Sequence, residues 1–159
     1  MTRHYGRIRG GGRLVDSVPG GSWNVTSIVS SIRSDGTVSA MTLRGAIDGD
    51  SFKAFVSRIL CPSLLPDDIV IMDNLSCHKS GEVKDLIEAV GAQVWHLPPY
   101  SPDLNPIEKM WSKIKASMRK LKARTQKDID RAISQSMKMI TVEDSLGWFK
   151  SCGYSLMQA

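Results

Sequence analysis

The tightest constraint on this chain is a strand, a helix and a second strand read in succession between residues 69 and 97. Ile69, Val70, Ile71 and Met72 form an unbroken apolar run, with Asp67-Asp68 before it and Asp73-Asn74 after it. A short run without alternation reads as a strand buried on both faces, as in the parallel part of a mixed sheet. From about Gly81 to Val90, the residues Val83, Leu86, Ile87 and Val90 recur at helical spacing, and Gly91 is placed to end the helix. Val94, Trp95 and Leu97 supply the next strand. A strand, crossover helix and strand in one sheet returns parallel and right-handed, so both strands end on one edge. The class is therefore α/β, and in such sheets sites form outside the carboxyl ends of the strands. Asp73 stands at one such end, although Asp-Asn alone would also serve to start a turn.

The second strand runs into a proline-stiffened loop. Pro98, Pro99 and Pro102 hold it extended, because each ring fixes its own φ and restricts the residue before it. Asn105 suits a helix N-cap and Pro106 the first helical position, where a missing N–H costs nothing. Glu108 is then the third helical residue, at the mouth of the loop. Asn-x-x-Glu is also close to a capping box, in which the glutamate bonds back to the cap amide. Pairing with Asp73, from which 34 residues separate it, favours a functional carboxylate.

Asp73-Asn74 with His78, followed by Pro98-Pro99-Tyr100-Ser101-Pro102-Asp103-Leu104-Asn105-Pro106-Ile107-Glu108, resembles the DDE transposases of the mariner superfamily, most closely their bacterial insertion-sequence branch. The resemblance runs from about Tyr5 to about Tyr154. It implies an RNase H-like mixed sheet flanked by helices, and cleavage and joining of DNA strands during transposition and recombination. Asp73 matches the family's second catalytic aspartate and Glu108 its third acid, both as metal ligands. Asn74, His78, Pro99, Tyr100, Ser101, Pro102, Asn105 and Pro106 match motif positions that shape the site. For His78 a structural or phosphate-facing role is as good a reading as a catalytic one. The family's first strand, the aspartate on it and the N-terminal helix-turn-helix read as missing ahead of Met1–Gly6. The two-metal site for Mg²⁺ or Mn²⁺ is then incomplete, and the chain alone is expected to be weak or inactive. Asp50 is better explained as an N-cap, Asp48 as a turn residue, and Asp16 sits in a glycine-rich connection, so none is a strong substitute.

The chemistry explains the demand for acids. Phosphodiester cleavage is an in-line displacement in which two cations can bridge the attacking and leaving oxygens. Mg²⁺ takes hard oxygen ligands, usually one or two carboxylates with phosphate and water.

The remaining sequence builds around this centre. At 159 residues the chain reads as one domain, with a basic Gly/Arg-rich segment over 1–21, the catalytic core over 22–124 and a C-terminal helical segment over 125–159. Arg7 and Arg9, with Arg3 and Arg13, read as a solvated end or as an arm lying on phosphates. Trp23–Ile32 and Thr37–Leu43 read as strands joined at Ser34-Asp35-Gly36, neighbours of the missing strand. Phe52, Phe55, Val56, Ile59 and Leu60 make the core stripe of a helix stopped by Pro62. The helix after Asn105 is expected to bury Ile107, Met110 or Trp111, Ile114, Met118 and Leu121. Between Lys109 and Lys127 it carries eight basic residues and no acid: Lys109, Lys113, Lys115, Arg119, Lys120, Lys122, Arg124 and Lys127. A charge run is usually a solvated face, but eight like charges beside a carboxylate site point to a DNA track. Short helices over about Gln126–Ile140 and Val142–Lys150 are expected to pack Ile129, Ile133, Met137, Leu146, Trp148 and Phe149.

The net charge of +5 permits a polyanionic partner without identifying it. Cys61, Cys77 and Cys152 show neither zinc-ligand spacing nor a disulfide framework, which fits a reducing, cytoplasmic, nucleoid-associated setting. No signal peptide or membrane span is read, and no small-molecule cofactor is expected. The partners implied are transposon ends and target DNA, with a homodimer allowed. The alternatives are an inactive truncated remnant and a non-catalytic DNA-binding or assembly module.

Overall fold

The computed structural model describes residues 25–123 and 125–154. Chain contacts divide them into two units, one of residues 25–110 and 140–154, the other Trp111–Met139.

The first unit begins with a hairpin of β1 (Thr26–Ile32) and β2 (Val38–Arg44), paired antiparallel with Val29 opposite Met41. Its turn is closed by Arg33 N–H on the Thr37 carbonyl at 2.9 Å and Gly36 N–H on the Arg33 carbonyl at 3.1 Å. Gly36 has φ +87°, and a Cβ there would stand 3.0 Å from the Val142 Cα. Both the left-handed backbone and the close approach therefore call for glycine. Helix α1 (Gly49–Phe55) runs on through a π-type turn, Val56–Leu60, and a 3₁₀ turn, Cys61–Ser63. Its N-cap is Asp48, not Asp50: the Asp48 carboxylate accepts from the Ser51 amide at 2.8 Å and from the Ser51 hydroxyl at 2.6 Å. Asp50 lies in the first turn, where a negative charge still suits the exposed amides.

Next come β3 (Ile69–Met72), helix α2 (Gly81–Glu88) and β4 (Gln93–His96). The two strands are parallel, with Met72 opposite His96, as the strand, helix and strand order requires. Phe52, Phe55, Val56, Leu60, Met72, Val83 and Ile87 join Val29, Cys61 and Ala92 in one buried cluster, so hairpin, helices and parallel strands share a core.

Two expectations change. The single mixed sheet is replaced, among the described residues, by two separate two-stranded sheets, so the fold is α/β without the continuous sheet anticipated. Nor is β3 buried on both faces. Only Met72 is buried and Ile69 is 44% exposed, because β3 has one neighbouring strand among the described residues, and a single neighbour leaves its start open to solvent. What joins hairpin to parallel pair, besides the core, is a bidentate pair: Arg33 Nη1 and Nη2 meet the Asp68 carboxylate at 2.6 and 3.0 Å.

Helix α3 (Pro106–Leu121) starts in this unit and continues into the second. It buries Met110 and Ile114, but Leu121 is 46% exposed, since the helix ends there with Lys122 at φ +47°. In the second unit α4 (Gln126–Met137) buries Ala132, Ile133 and Ser136, and Ser136 donates to the Ser117 hydroxyl at 3.0 Å. Back in the first unit, α5 (Val142–Ser151) buries Ser145, whose hydroxyl donates to the Arg33 carbonyl at 2.6 Å. Leu146, expected inside, is 43% exposed. Both α4 and α5 open on capping boxes, Thr125 with Asp128 and Thr141 with Asp144. No described helix is long and apolar enough to cross a membrane.

Candidate active site

The site grows from the carboxyl ends of β3 and β4. The chain leaves β3 through Asp73, whose Oδ1 accepts the Leu75 amide at 3.0 Å and so turns the backbone away from the strand direction. A 3₁₀ turn, Ser76–Lys79, then returns His78 to the same carboxylate, with Nδ1 standing 2.7 Å from Asp73 Oδ1. That nitrogen is shielded from solvent and forms no well-directed hydrogen bond, so the contact is short but not aligned. Behind it the imidazole lies against the Phe52 ring, centroids 4.5 Å apart. One carboxylate oxygen is thus occupied from behind, while Oδ2 makes no hydrogen bond among the described residues.

Asn74 ties the two strand ends together, its side-chain amide donating to the Leu97 carbonyl. From there Pro98 and Pro99 lead to Tyr100 at φ +58°, a backbone setting that bulky residues rarely adopt. Ser101 Oγ bonds back to the Pro99 carbonyl at 3.3 Å, and Pro102–Leu104 form a 3₁₀ turn. Asn105 is extended and Pro106 opens α3, as read from the sequence. The capping-box alternative for Glu108 does not form: the Asn105 amide bonds the Pro102 carbonyl at 3.1 Å, and the exposed Glu108 carboxylate has no partner among the described residues. Its own backbone amide bonds the Asn105 carbonyl at 3.1 Å.

Asp73 and Glu108 line one cleft of about 220 Å³, with Asn74, Leu75, Leu97, Pro98, Tyr100, Ser101, Pro102 and Asn105. Of the motif residues, His78 touches Asp73 from behind, whereas Pro99 and Pro106 frame the loop without lining the cleft. Tyr154 and Lys109 carry a support that sequence reasoning missed. The Tyr154 hydroxyl donates to the Leu104 carbonyl at 2.8 Å, and Lys109 Nζ donates to Ser151 Oγ at 2.7 Å, pinning the loop and the start of α3 to the end of α5. Burial pushes the Tyr154 phenol up from its ordinary value. Nothing in the local sequence signals these contacts, because 50 and 42 residues separate the partners.

The donor set suits a hard cation. Two carboxylates are what Mg²⁺ usually takes from a protein, and no described lysine or arginine neutralises either in an ion pair. Among the described residues no third aspartate, glutamate, histidine or cysteine gathers with them into a metal-holding group. Among the described residues, Asp73 and Glu108 are therefore the carboxylates that this cleft offers a cation.

The basic residues are distributed rather than gathered. On α3, Lys109, Lys113 and Lys120 follow one side of the buried Met110 and Ile114 stripe, and Lys115 and Arg119 the other, by the 3.6-residue period. Lys115, Arg119 and Lys120 form no ion pair among the described residues, and Lys122 ends the helix. Arg7, Arg9 and Arg124, expected on DNA, lie outside the described residues.

A family profile for DDE superfamily endonucleases matches residues 1–130. No curated protein matches the chain. A match over so much of the 159 residues means that the chain belongs to the DDE superfamily endonucleases, transposase-type nucleases that act on DNA and generally use divalent metal ions.

Proposed function

We propose that this chain is the catalytic domain of a mariner-like insertion-sequence transposase with an RNase H-like core, which cuts DNA strands and transfers them to a target. The observation that carries the reading is the convergence of Asp73, at the end of a parallel strand, and Glu108, at the start of a helix, on one cleft. In the proposed roles, Asp73 Oδ2 and the Glu108 carboxylate bind Mg²⁺ or Mn²⁺. The cation, when bound, supplies positive charge to the attacking and leaving oxygens of the phosphodiester. Asp73 Oδ1, held by the Leu75 amide and with His78 Nδ1 close behind it, fixes the orientation of the carboxylate. The proline-framed loop keeps Glu108 at a set distance from the strand end. Lys115, Arg119 and Lys120, with Lys113, Arg124 and the Arg7 and Arg9 segment, track the DNA backbone.

A second reading, a DNA-binding or assembly module without catalysis, draws on the absence of a third metal-type ligand among the described residues. One set of measurements separates the two. Supercoiled plasmid is incubated with Mn²⁺ and the wild type, Asp73→Asn or Glu108→Gln, and Mn²⁺ binding is titrated in parallel. Nicking by the wild type alone supports the enzyme. Equal nicking by all three sinks the metal-site assignment. Metal binding lost in both variants, with no nicking by the wild type, supports the module.

A further inference from the structure

We infer that Tyr100 is a stacking platform for a nucleobase next to the phosphodiester held in the Asp73 and Glu108 cleft; this rests on the proposed reading of that cleft as a DNA-cutting site. Tyr100 is 101% exposed, the highest value among the exposed large apolar side chains of the described residues. A side chain so open has no packing role to play in the fold. Its backbone also works against it: at φ +58° glycine or asparagine is comfortable and a bulky aromatic is strained. Strain held at the lip of a cleft points to function, because folding alone would select a smaller residue.

The mount is rigid. Pro98, Pro99 and Pro102 flank the tyrosine, and the bonds from Asn74 to the Leu97 carbonyl and from Tyr154 to the Leu104 carbonyl anchor the loop at both ends. An aromatic ring presented in this way loses little freedom when a ligand covers it. The cleft it lines also holds both carboxylates, and the substrate class is DNA. The hydroxyl can give a phosphate one hydrogen bond, but most of this side chain is a flat ring. The part of DNA it matches is the flat face of a base, and such stacking tolerates any sequence.

The test uses the full chain, Ca²⁺ in place of Mn²⁺, and a single-stranded oligothymidine carrying 2-aminopurine, against a strand of equal length with abasic sites. The wild type, Tyr100→Phe and Tyr100→Trp should quench the 2-aminopurine fluorescence on binding. Tyr100→Asn should not, and should bind the base-bearing strand roughly tenfold more weakly while binding the abasic strand as the wild type does. Asparagine suits the left-handed backbone, so its melting temperature should be no lower than that of the wild type. Equal weakening on both strands, undiminished quenching by Tyr100→Asn, or a lowered melting temperature would each overturn the inference. If Tyr100→Asn behaves as expected but Asp73→Asn nicks plasmid like the wild type, stacking stands and the cleavage site lies elsewhere.

Discussion

An aspartate flanks strand β3 at each end, and the two are used in opposite ways. Asp68, ahead of the strand, is held on both oxygens: Arg33 grips the pair and the Leu65 amide donates to Oδ2 at 2.7 Å. The Arg33 hydrogen bonds hold its carboxyl below the ordinary aspartate range against the opposing cost of burial, and the Leu65 amide adds to the lowering. Asp73, just after the strand, has one oxygen held and one without a partner among the described residues, at the lip of a cleft. The residue type is the same and the strand is the same. A carboxylate with donors on both oxygens is committed to holding the fold together, whereas one with an oxygen left open among the described residues, on a cleft that a second carboxylate also lines, can take a ligand.

Substitutions can break that contrast. The largest effect is expected from Asp73→Asn, which on the proposed reading of Asp73 as a metal ligand should reduce Mn²⁺-dependent nicking on the order of a thousandfold, several kcal/mol at the transition state, with the melting temperature unchanged. A stability loss without a loss of metal binding would place Asp73 in the same class as Asp68.

His78→Ala sharpens the same point one contact further back. Losing the group behind Asp73 should weaken Mn²⁺ binding about 10- to 100-fold, read by titration, and His78→Asn should recover part of it. If the melting temperature falls while the metal affinity holds, the imidazole serves the Phe52 packing alone.

At the other end of the strand, Asp68→Asn should lower stability by roughly 1–2 kcal/mol, or about 2–8 °C in melting temperature, and leave metal binding intact. Because the folded-state pKa of Asp68 is depressed, its contribution is fully present above the unfolded value of about 3.9 and is lost as pH falls through the lower folded value. The gap between wild type and variant, followed by thermal melts against pH, should therefore close in acid. A gap that widens would refute the pairing.

The smallest effects are expected from Lys115→Ala and Arg119→Ala, each lowering the slope of log affinity for DNA against log salt by about one. An unchanged slope would remove these residues from the DNA track.

Much of this was legible in the chain itself. The apolar run Ile69–Met72, the helical spacing of Val83 and Ile87, and the return at Val94 pointed to a parallel pair, because a helix between two strands carries the chain back to the end from which the first strand started. The prolines and Pro106 at the head of α3 set where Glu108 stands. Element boundaries and caps were read less well. Asp48 rather than Asp50 caps α1, and the choice turns on which backbone becomes extended, which two nearby aspartates do not reveal. Leu121 and Leu146 were placed inside by periodicity and lie outside, since a helical stripe tells which side is apolar but not how far along the helix a neighbour continues.

What the sequence by itself determined is the set of local geometries: turns, helix starts and the edge on which the two carboxylates emerge. These follow from bond rotation and side-chain spacing over a few residues. What only the tertiary structure decided is which groups are already spoken for. Arg33 crossing 35 residues to Asp68, His78 folding back onto Asp73, Tyr154 holding the Leu104 carbonyl and a Glu108 without a partner among the described residues depend on meetings in space that no local pattern encodes. A carboxylate becomes structural or functional according to how many donors reach it, and donors are counted only once the chain has folded.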